Sequence, residues 1–318
     1  MNERLQGPAQ ALSATTAVAW PRRVMRRHGL AYIFVAPATV FLIALFFWPL
    51  AQVLIESLQQ QNLLQIDVSS FIGLANYATE LGGDQYFWPA FQHTLAWTFA
   101  SVAGEYALGL LTAILLVQPI RFRGLLRGIF IIPWVVPFVV AASTWKWIMD
   151  PYYGILNLTL MKWGWIAPGT DWLGQLQTAL PAVIVVNIWR SFPFYALALL
   201  AALQTVPAEE LEAASLDGAG LFARFRYVTF PYLKGTSLII VILHVIWTFQ
   251  NFDFIWLLTQ GGPLHVTETL PILVYLQAFR YYNLGTSAAI AVLILLALSI
   301  FVAIYIRLLG RESLSLSR

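Results

Sequence analysis

The sequence contains no cysteine in its 318 residues, which excludes disulfides, thiolate metal sites and thiol nucleophiles. Charge is also scarce. Asp, Glu, Lys and Arg make up 10% of the chain, against about 25% in an average soluble domain, which argues against a water-soluble monomer. The net charge of +3, spread among apolar residues, is too small to be a nucleic-acid footprint. None of the lysines, Lys146, Lys162 and Lys234, follows a glycine, so no G-x-x-x-x-G-K-S/T phosphate loop exists and the chain cannot bind ATP in that way. The four histidines form no H-E-x-x-H pair and no G-x-S-x-G elbow is present. Neither a metal site nor a catalytic residue is expected.

What is abundant is apolar surface. Hydrophobic residues make up 59% of the chain, and its 13 Trp, 13 Tyr and 21 Phe lie largely near the ends of long apolar runs, where amphipathic rings settle at a membrane interface. Six runs, at 30–52, 89–117, 125–149, 180–204, 235–258 and 284–307, reach the roughly 20 residues a helix needs to cross hydrocarbon. None alternates with the two-residue period of a barrel strand. The expected fold is an all-α integral membrane protein with six transmembrane helices in a domain over 30–310, between an N-terminal tail (1–29) and a C-terminal tail (311–318). Of the 18 Lys and Arg, 14 fall in the two tails and in the second and fourth connections, which places both termini in the cytoplasm. The mildly apolar stretch Ala11–Trp20 precedes Arg22, Arg23, Arg26 and Arg27, the wrong order for a signal peptide. The tail reads as a cytoplasmic arm drawn to anionic headgroups.

The outer connections, 53–88, 150–179 and 259–283, read as short helices and turns. The inner connection 205–234 is more informative. Pro207 suits a first helical turn, Glu209 and Glu210 complement the exposed N–H groups, and Gly218 can adopt the left-handed conformation that closes a helix. A second short helix follows, with Leu221, Phe222 and Phe225 near helical spacing, and Pro231 is expected to end it before the fifth span. Such a rigid helix-turn-helix is shaped to enter a groove of another protein.

Polar groups within the membrane are costly and are therefore functional candidates. In the third span Pro133 and Pro137 bracket Trp134, with Phe138 next. In the fourth, Asn187, Arg190 and Ser191 precede Pro193, which is expected to open the helix locally. In the fifth, His244, Thr248, Asn251 and Asp253 accompany Trp247 and Phe249. Together they suggest a wet, aromatic-lined path suited to a sugar, whose hydroxyls require paired donors and acceptors. Arg190 could bind solute, pair with Asp253 or reach outer headgroups. Glu105, in the second span, could face a partner or be hydrated near an interface. Gly104 and Gly109 suit close helix packing.

The stretch Glu212-Ala213-Ala214, then Asp217-Gly218, then Val228 to Pro231 resembles the EAA signature of the membrane subunits of bacterial ABC importers. The likeness runs over roughly residues 30–310 and is strongest to the maltose-transporter permease branch of the carbohydrate importers. Leu258 to Pro263, Thr267 to Pro271, Asn187 to Pro193 and Ile132 to Pro137 carry it. It implies the type I ABC importer permease fold and a place in the bacterial inner membrane. It also implies a second homologous permease, two ATPase subunits that bind ATP and Mg, and an external solute-binding protein. Glu212, Ala213, Ala214, Asp217, Gly218, Phe222, Phe225 and Pro231 would then couple to an ATPase groove. The positions matching sugar contacts of that branch are Trp134, Phe138, Asn187, Arg190, Ser191, Phe194, Trp247, Thr248 and Asn251, to which the residue pattern adds Asp253. Rival readings are an ion-coupled secondary transporter, which would need its own intramembrane carboxylates, and a permease for a glycerol-phosphate-type solute.

Overall fold

The computed structural model describes residues 32–313; the tail expected at 1–29 and the C-terminal residues beyond 313 lie outside the described residues. The chain divides into two units, Met1–Gln52 and Val53–Arg318. The first unit's described part, residues 32–52, lies entirely in a long apolar helix, α1 (Tyr32–Glu56), which has one π-helical turn at Ile43–Phe47 and ends just inside the second unit.

After the end of α1 comes an antiparallel hairpin of β1 (Gln59–Asn62) and β2 (Gln65–Phe71), in the register Gln59 to Phe71 and Gln60 to Ser70. Helices and turns alone were expected over 53–88. The hairpin forms because Asn62 Oδ1 accepts the Leu64 N–H (2.8 Å) and so closes a turn with its own side chain. The helices α2 (Ala75–Leu81) and α3 (Phe87–Val117) follow, and the Asp84 carboxylate caps α3 by accepting the N–H groups of Tyr86 and Phe87.

The third expected span is not one helix. It is α4 (Arg123–Val135) and α5 (Phe138–Ile148), set at 95° to each other. Pro137 removes a backbone donor and disfavours the helical region for the residue before it, and Val136 is accordingly extended (ψ 131°). After the short α6 (Ile155–Lys162), α7 (Ala179–Leu203) runs unbroken through Pro193, which corrects the local opening expected there. The Pro193 ring is buried, and the turns on either side of it are held by packing against α3.

That packing is close because α3 presents small residues to α7. A Cβ on Gly109 would sit 2.4 Å from Tyr195 Cβ and 3.0 Å from the backbone N of Ala196, and one on Gly104 would meet the Ile188 side chain at 2.3 Å. In hydrocarbon, burying apolar area gives little drive to helix association, so such close approach and interhelical hydrogen bonds take over that role. Trp97 of α3 is fully buried and donates its indole N–H to the Thr248 carbonyl (2.9 Å).

The fourth connection contains α8 (Ala208–Leu216). Gly218, at φ +81°, then closes the helix with bonds from the Gly218 N–H to the Ser215 carbonyl (3.1 Å) and from the Ala219 N–H to the Ala214 carbonyl (2.9 Å). The next helix does not stop at Pro231, as expected, but continues into the fifth span as α9 (Leu221–Phe249). One π-helical turn, Phe225–Thr229, lies just before Pro231, with the Phe230 N–H bonded to the Phe225 carbonyl. This widened turn accommodates a residue that offers no N–H and whose ring crowds the preceding turn. The fifth span also ends earlier than expected, at Phe249; Gln250–Phe252 break the helix and α10 (Asp253–Leu258) starts anew. The chain continues through α11 (Leu270–Arg280) to α12 (Leu284–Ser313). Among the described residues, α1, α3, α7, α9 and α12 are each long and apolar enough to cross a membrane, and the bent pair α4 and α5 makes a sixth if counted as one broken span.

Candidate functional site

Three breaks and faces of these helices converge on one cavity of about 180 Å³. The elbow between α4 and α5 places Trp134 and Phe138 on its wall. From α7 come Asn187, Arg190 and Ser191, and from α9 come His244, Trp247 and Thr248, followed by Asn251 just past the end of that helix. The two helices use the same spacing, i, i+3, i+4, which lays each set along one face. Asn251 also accepts the Phe254 N–H (3.1 Å) and so starts α10.

Of the ten residues expected along a path, eight line this cavity. Phe194 stands behind the wall, its ring 6.1 Å from those of both Trp134 and Trp247 and 4.9 Å from His244. Asp253 does not join them. It is exposed in the first turn of α10, because the break at Gln250–Phe252 takes it off the α9 face. Arg190 lies on the cavity wall, with its guanidinium carbon 3.6 Å from the centre of the Phe138 ring in a cation–π contact.

Sequence alone leaves Glu105 between a partner-facing and a hydrated position and marks His244 as one polar residue of its span. Glu105 is fully buried beside the cavity, where its Oε1 accepts from Asn187 Nδ2 (2.8 Å) and its Oε2 lies 2.9 Å from His244 Nδ1. Three helices, α3, α7 and α9, are thus joined by one carboxylate. The i, i+3, i+4 spacing of His244, Trp247 and Thr248 was the signal that placed His244 on the wall; nothing local to Glu105 announced its partners.

The loop from Thr259 to Leu270 is tied down by its own polar groups. Thr259 Oγ1 and Thr267 Oγ1 are 2.7 Å apart, the Thr267 hydroxyl donates to the Gly262 carbonyl (2.7 Å), and the Leu270 N–H donates to Thr94 Oγ1 (2.8 Å). Glu268, buried here beside His265, has its carboxyl pushed up by burial. Nearby, burial and the Asp84 charge push the Glu80 carboxyl up to about 7.

At the other candidate site, around the Gly218 turn, Glu212, Ala213, Asp217 and Gly218 are exposed, Ala214 is half-buried and Pro231 is exposed on α9. Phe222 is 80% exposed, beside Leu216 at 89% and Leu221 at 80%. Phe225 instead turns inward, against Phe230 and the core that contains Tyr195 and Leu199. The two phenylalanines are therefore not equivalent.

Residues 105–313 match the family of the binding-protein-dependent transport system inner membrane component. The chain belongs to this family. Permeases of the family similar to it include the trehalose/maltose transport system permease protein MalF of Thermococcus litoralis, 34% identical over 285 residues that cover 89% of this chain and 94% of that one. The trehalose transport system permease protein SugA of Mycobacterium tuberculosis is 35% identical over 286 residues, 90% of each chain. The diacetylchitobiose uptake system permease protein DasB of Streptomyces coelicolor is 33% identical over 296 residues, 92% of this chain and 90% of that one. A chain in the crystal structure of a bacterial alginate ABC transporter in complex with an alginate pentasaccharide-bound periplasmic protein superposes with a TM-score of 0.78. It is 18% identical, with 91% of this chain and 97% of that one covered, so the likeness is one of fold: the type I ABC importer permease fold. The chain is a multi-pass membrane protein and a permease component of a binding-protein-dependent transporter.

Proposed function

We propose that this permease carries a sugar inward across a bacterial inner membrane by alternating access, in an assembly with a second homologous permease and an external solute-binding protein. Two ATPase subunits, which bind ATP and Mg, drive it. The observation that carries the reading is the cavity wall itself. Trp134, Phe138 and Trp247 offer aromatic faces for sugar C–H groups, and Asn187, Ser191, Thr248 and Asn251 offer hydrogen bonds to hydroxyls. The names of the relatives, which speak of trehalose, maltose and diacetylchitobiose, point the same way. At about 180 Å³ the cavity is smaller than the roughly 300–1,000 Å³ usual for small-molecule sites, as expected if a second permease supplies the rest of the wall.

In this reading the 205–234 hairpin and both termini face the cytoplasm, and the hairpin enters a groove of an ATPase subunit. Its tip supports that role, because Leu216, Leu221 and Phe222 are large apolar side chains left exposed there, in the same short stretch as exposed Glu212 and Asp217. A second reading, an anionic solute of the glycerol-phosphate type, is favoured by Arg190 alone, whose buried Nε has no partner among the described residues. The test is uptake by the assembled transporter in proteoliposomes with its binding protein. ATP-dependent accumulation of labelled trehalose, maltose or diacetylchitobiose supports the reading. Accumulation of glycerol phosphate alone selects the second reading, and accumulation without the ATPase subunits defeats both.

A further inference from the structure

We propose that Glu105, which does not line the cavity, is a positioning residue for solute recognition. Its carboxylate fixes the tautomer of His244 and the orientation of the Asn187 amide, so that this side of the cavity presents two acceptors, His244 Nε2 and Asn187 Oδ1. The inference deepens the sugar reading above and rests on it for the identity of the solute.

As an ionised carboxylate Glu105 only accepts hydrogen bonds; with that charge state as part of the proposal, Asn187 turns its amino group toward Oε1 and His244 offers Nδ1–H to Oε2, at 2.8 and 2.9 Å. Each donor spent on Glu105 leaves an acceptor at the opposite end of the same side chain. For His244 that acceptor is Nε2. The residue is 5% exposed, lines the cavity, and its Nε2 is buried with no partner among the described residues. A buried acceptor without a partner costs free energy that a ligand donor recovers. The imidazole is also held in place, with the rings of Tyr195 at 4.4 Å, Phe194 at 4.9 Å and Trp247 at 5.4 Å. The chemistry that fits is a hydroxyl-rich solute donating from this face. These two acceptors favour a donor over an anionic group at this point of the wall.

Two variants of the complete transporter in lipid nanodiscs, without the binding protein, test this. Glu105→Gln places an amide where both oxygens accepted and so frees Asn187 or His244. His244→Asn keeps a donor for Glu105 where Nδ1 stood and removes the Nε2 acceptor. Equilibrium binding of labelled trehalose and maltose should weaken by about 3- to 10-fold in each, the range of one neutral hydrogen bond. A deoxy analogue lacking the donor hydroxyl should bind wild type and His244→Asn equally, which a merely structural effect would not produce. Solid-state NMR on isotope-labelled histidine reads the tautomer directly. The resonance lost in His244→Asn should be Nδ1-protonated with a bare Nε2, and should become mixed in Glu105→Gln. A His244 with bare Nδ1 in the wild type, or unchanged sugar affinity in Glu105→Gln, overturns the proposal. If the wild type binds neither trehalose nor maltose, nor diacetylchitobiose tested beside them, the sugar reading fails, while the NMR result still decides the part played by Glu105.

Discussion

Gly218 permits a prediction whose size follows from local geometry. At φ +81° it occupies a region that costs an L-residue about 1–2 kcal/mol, yet a Cβ built there meets nothing within 4 Å. The penalty of a substitution is therefore backbone strain alone, with no clash added. Gly218→Asn should be nearly free, because Asn tolerates the left-handed region. Gly218→Ala should cost about 1 kcal/mol, leaving the turn formed about five-fold less often relative to its open state, and β-branched Gly218→Val about 2 kcal/mol, or roughly 30-fold. If the turn couples the ATPase subunits to the membrane helices, uptake per ATP hydrolysed in proteoliposomes should fall in the order Asn, Ala, Val while membrane insertion is unchanged. Gly218→Asp separates conformation from docking. Its backbone fits as Asn does, so uncoupling in this variant alone would locate the defect in the groove contact. Normal coupling in Gly218→Val would refute the reasoning.

Two further outcomes follow from other positions. Gly109→Ala should lower the thermal stability of the detergent-purified protein by about 1–3 kcal/mol, because its Cβ would press on Tyr195 Cβ and the Ala196 backbone, whereas Gly128→Ala, with nothing within 4 Å, should not; equal behaviour of the two would contradict the α3–α7 contact. Glu80, pushed up to about 7 from 4.5, binds its proton more tightly folded than unfolded, so its stabilising effect is complete below about pH 4.5 and lost as pH rises toward 7; Glu80→Gln should flatten the melting temperature across that window, and an unchanged profile would rule out the buried carboxyl as its source.

Length and apolarity were enough to mark the spans, because hydrocarbon demands them of any helix that crosses. They could not mark where a span bends. Pro133, Pro137, Pro193 and Pro231 look alike as letters, yet only Pro137 coincides with a break. The difference lies in surroundings: Pro193 is buried beside α3, and Pro231 follows a π-helical turn. The wall residues on α7 and α9 were visible as polar and aromatic groups inside spans and through the resemblance to the sugar permeases. Asp253 was misplaced because the fifth span was read as continuous to 258, across a break that Gln250 and Asn251 do not announce. The hairpin at 59–71 lacks a glycine turn and rests on the Asn62 side chain. Glu105 shows the deeper limit, since its partners stand 82 and 139 residues away and only the folded bundle brings them together.

The unbroken course of α9 has a mechanical corollary. Its 29 residues form a stiff rod about 40 Å long, with exposed Phe222 near one tip and His244, Trp247 and Thr248 near the other. With no loop between them to absorb displacement, a tilt imposed at the Phe222 tip has to reappear at the far end as a shift of those three side chains against Asn187 and Glu105. A place along its length where that motion could be cushioned is the widened turn at Phe225–Thr229.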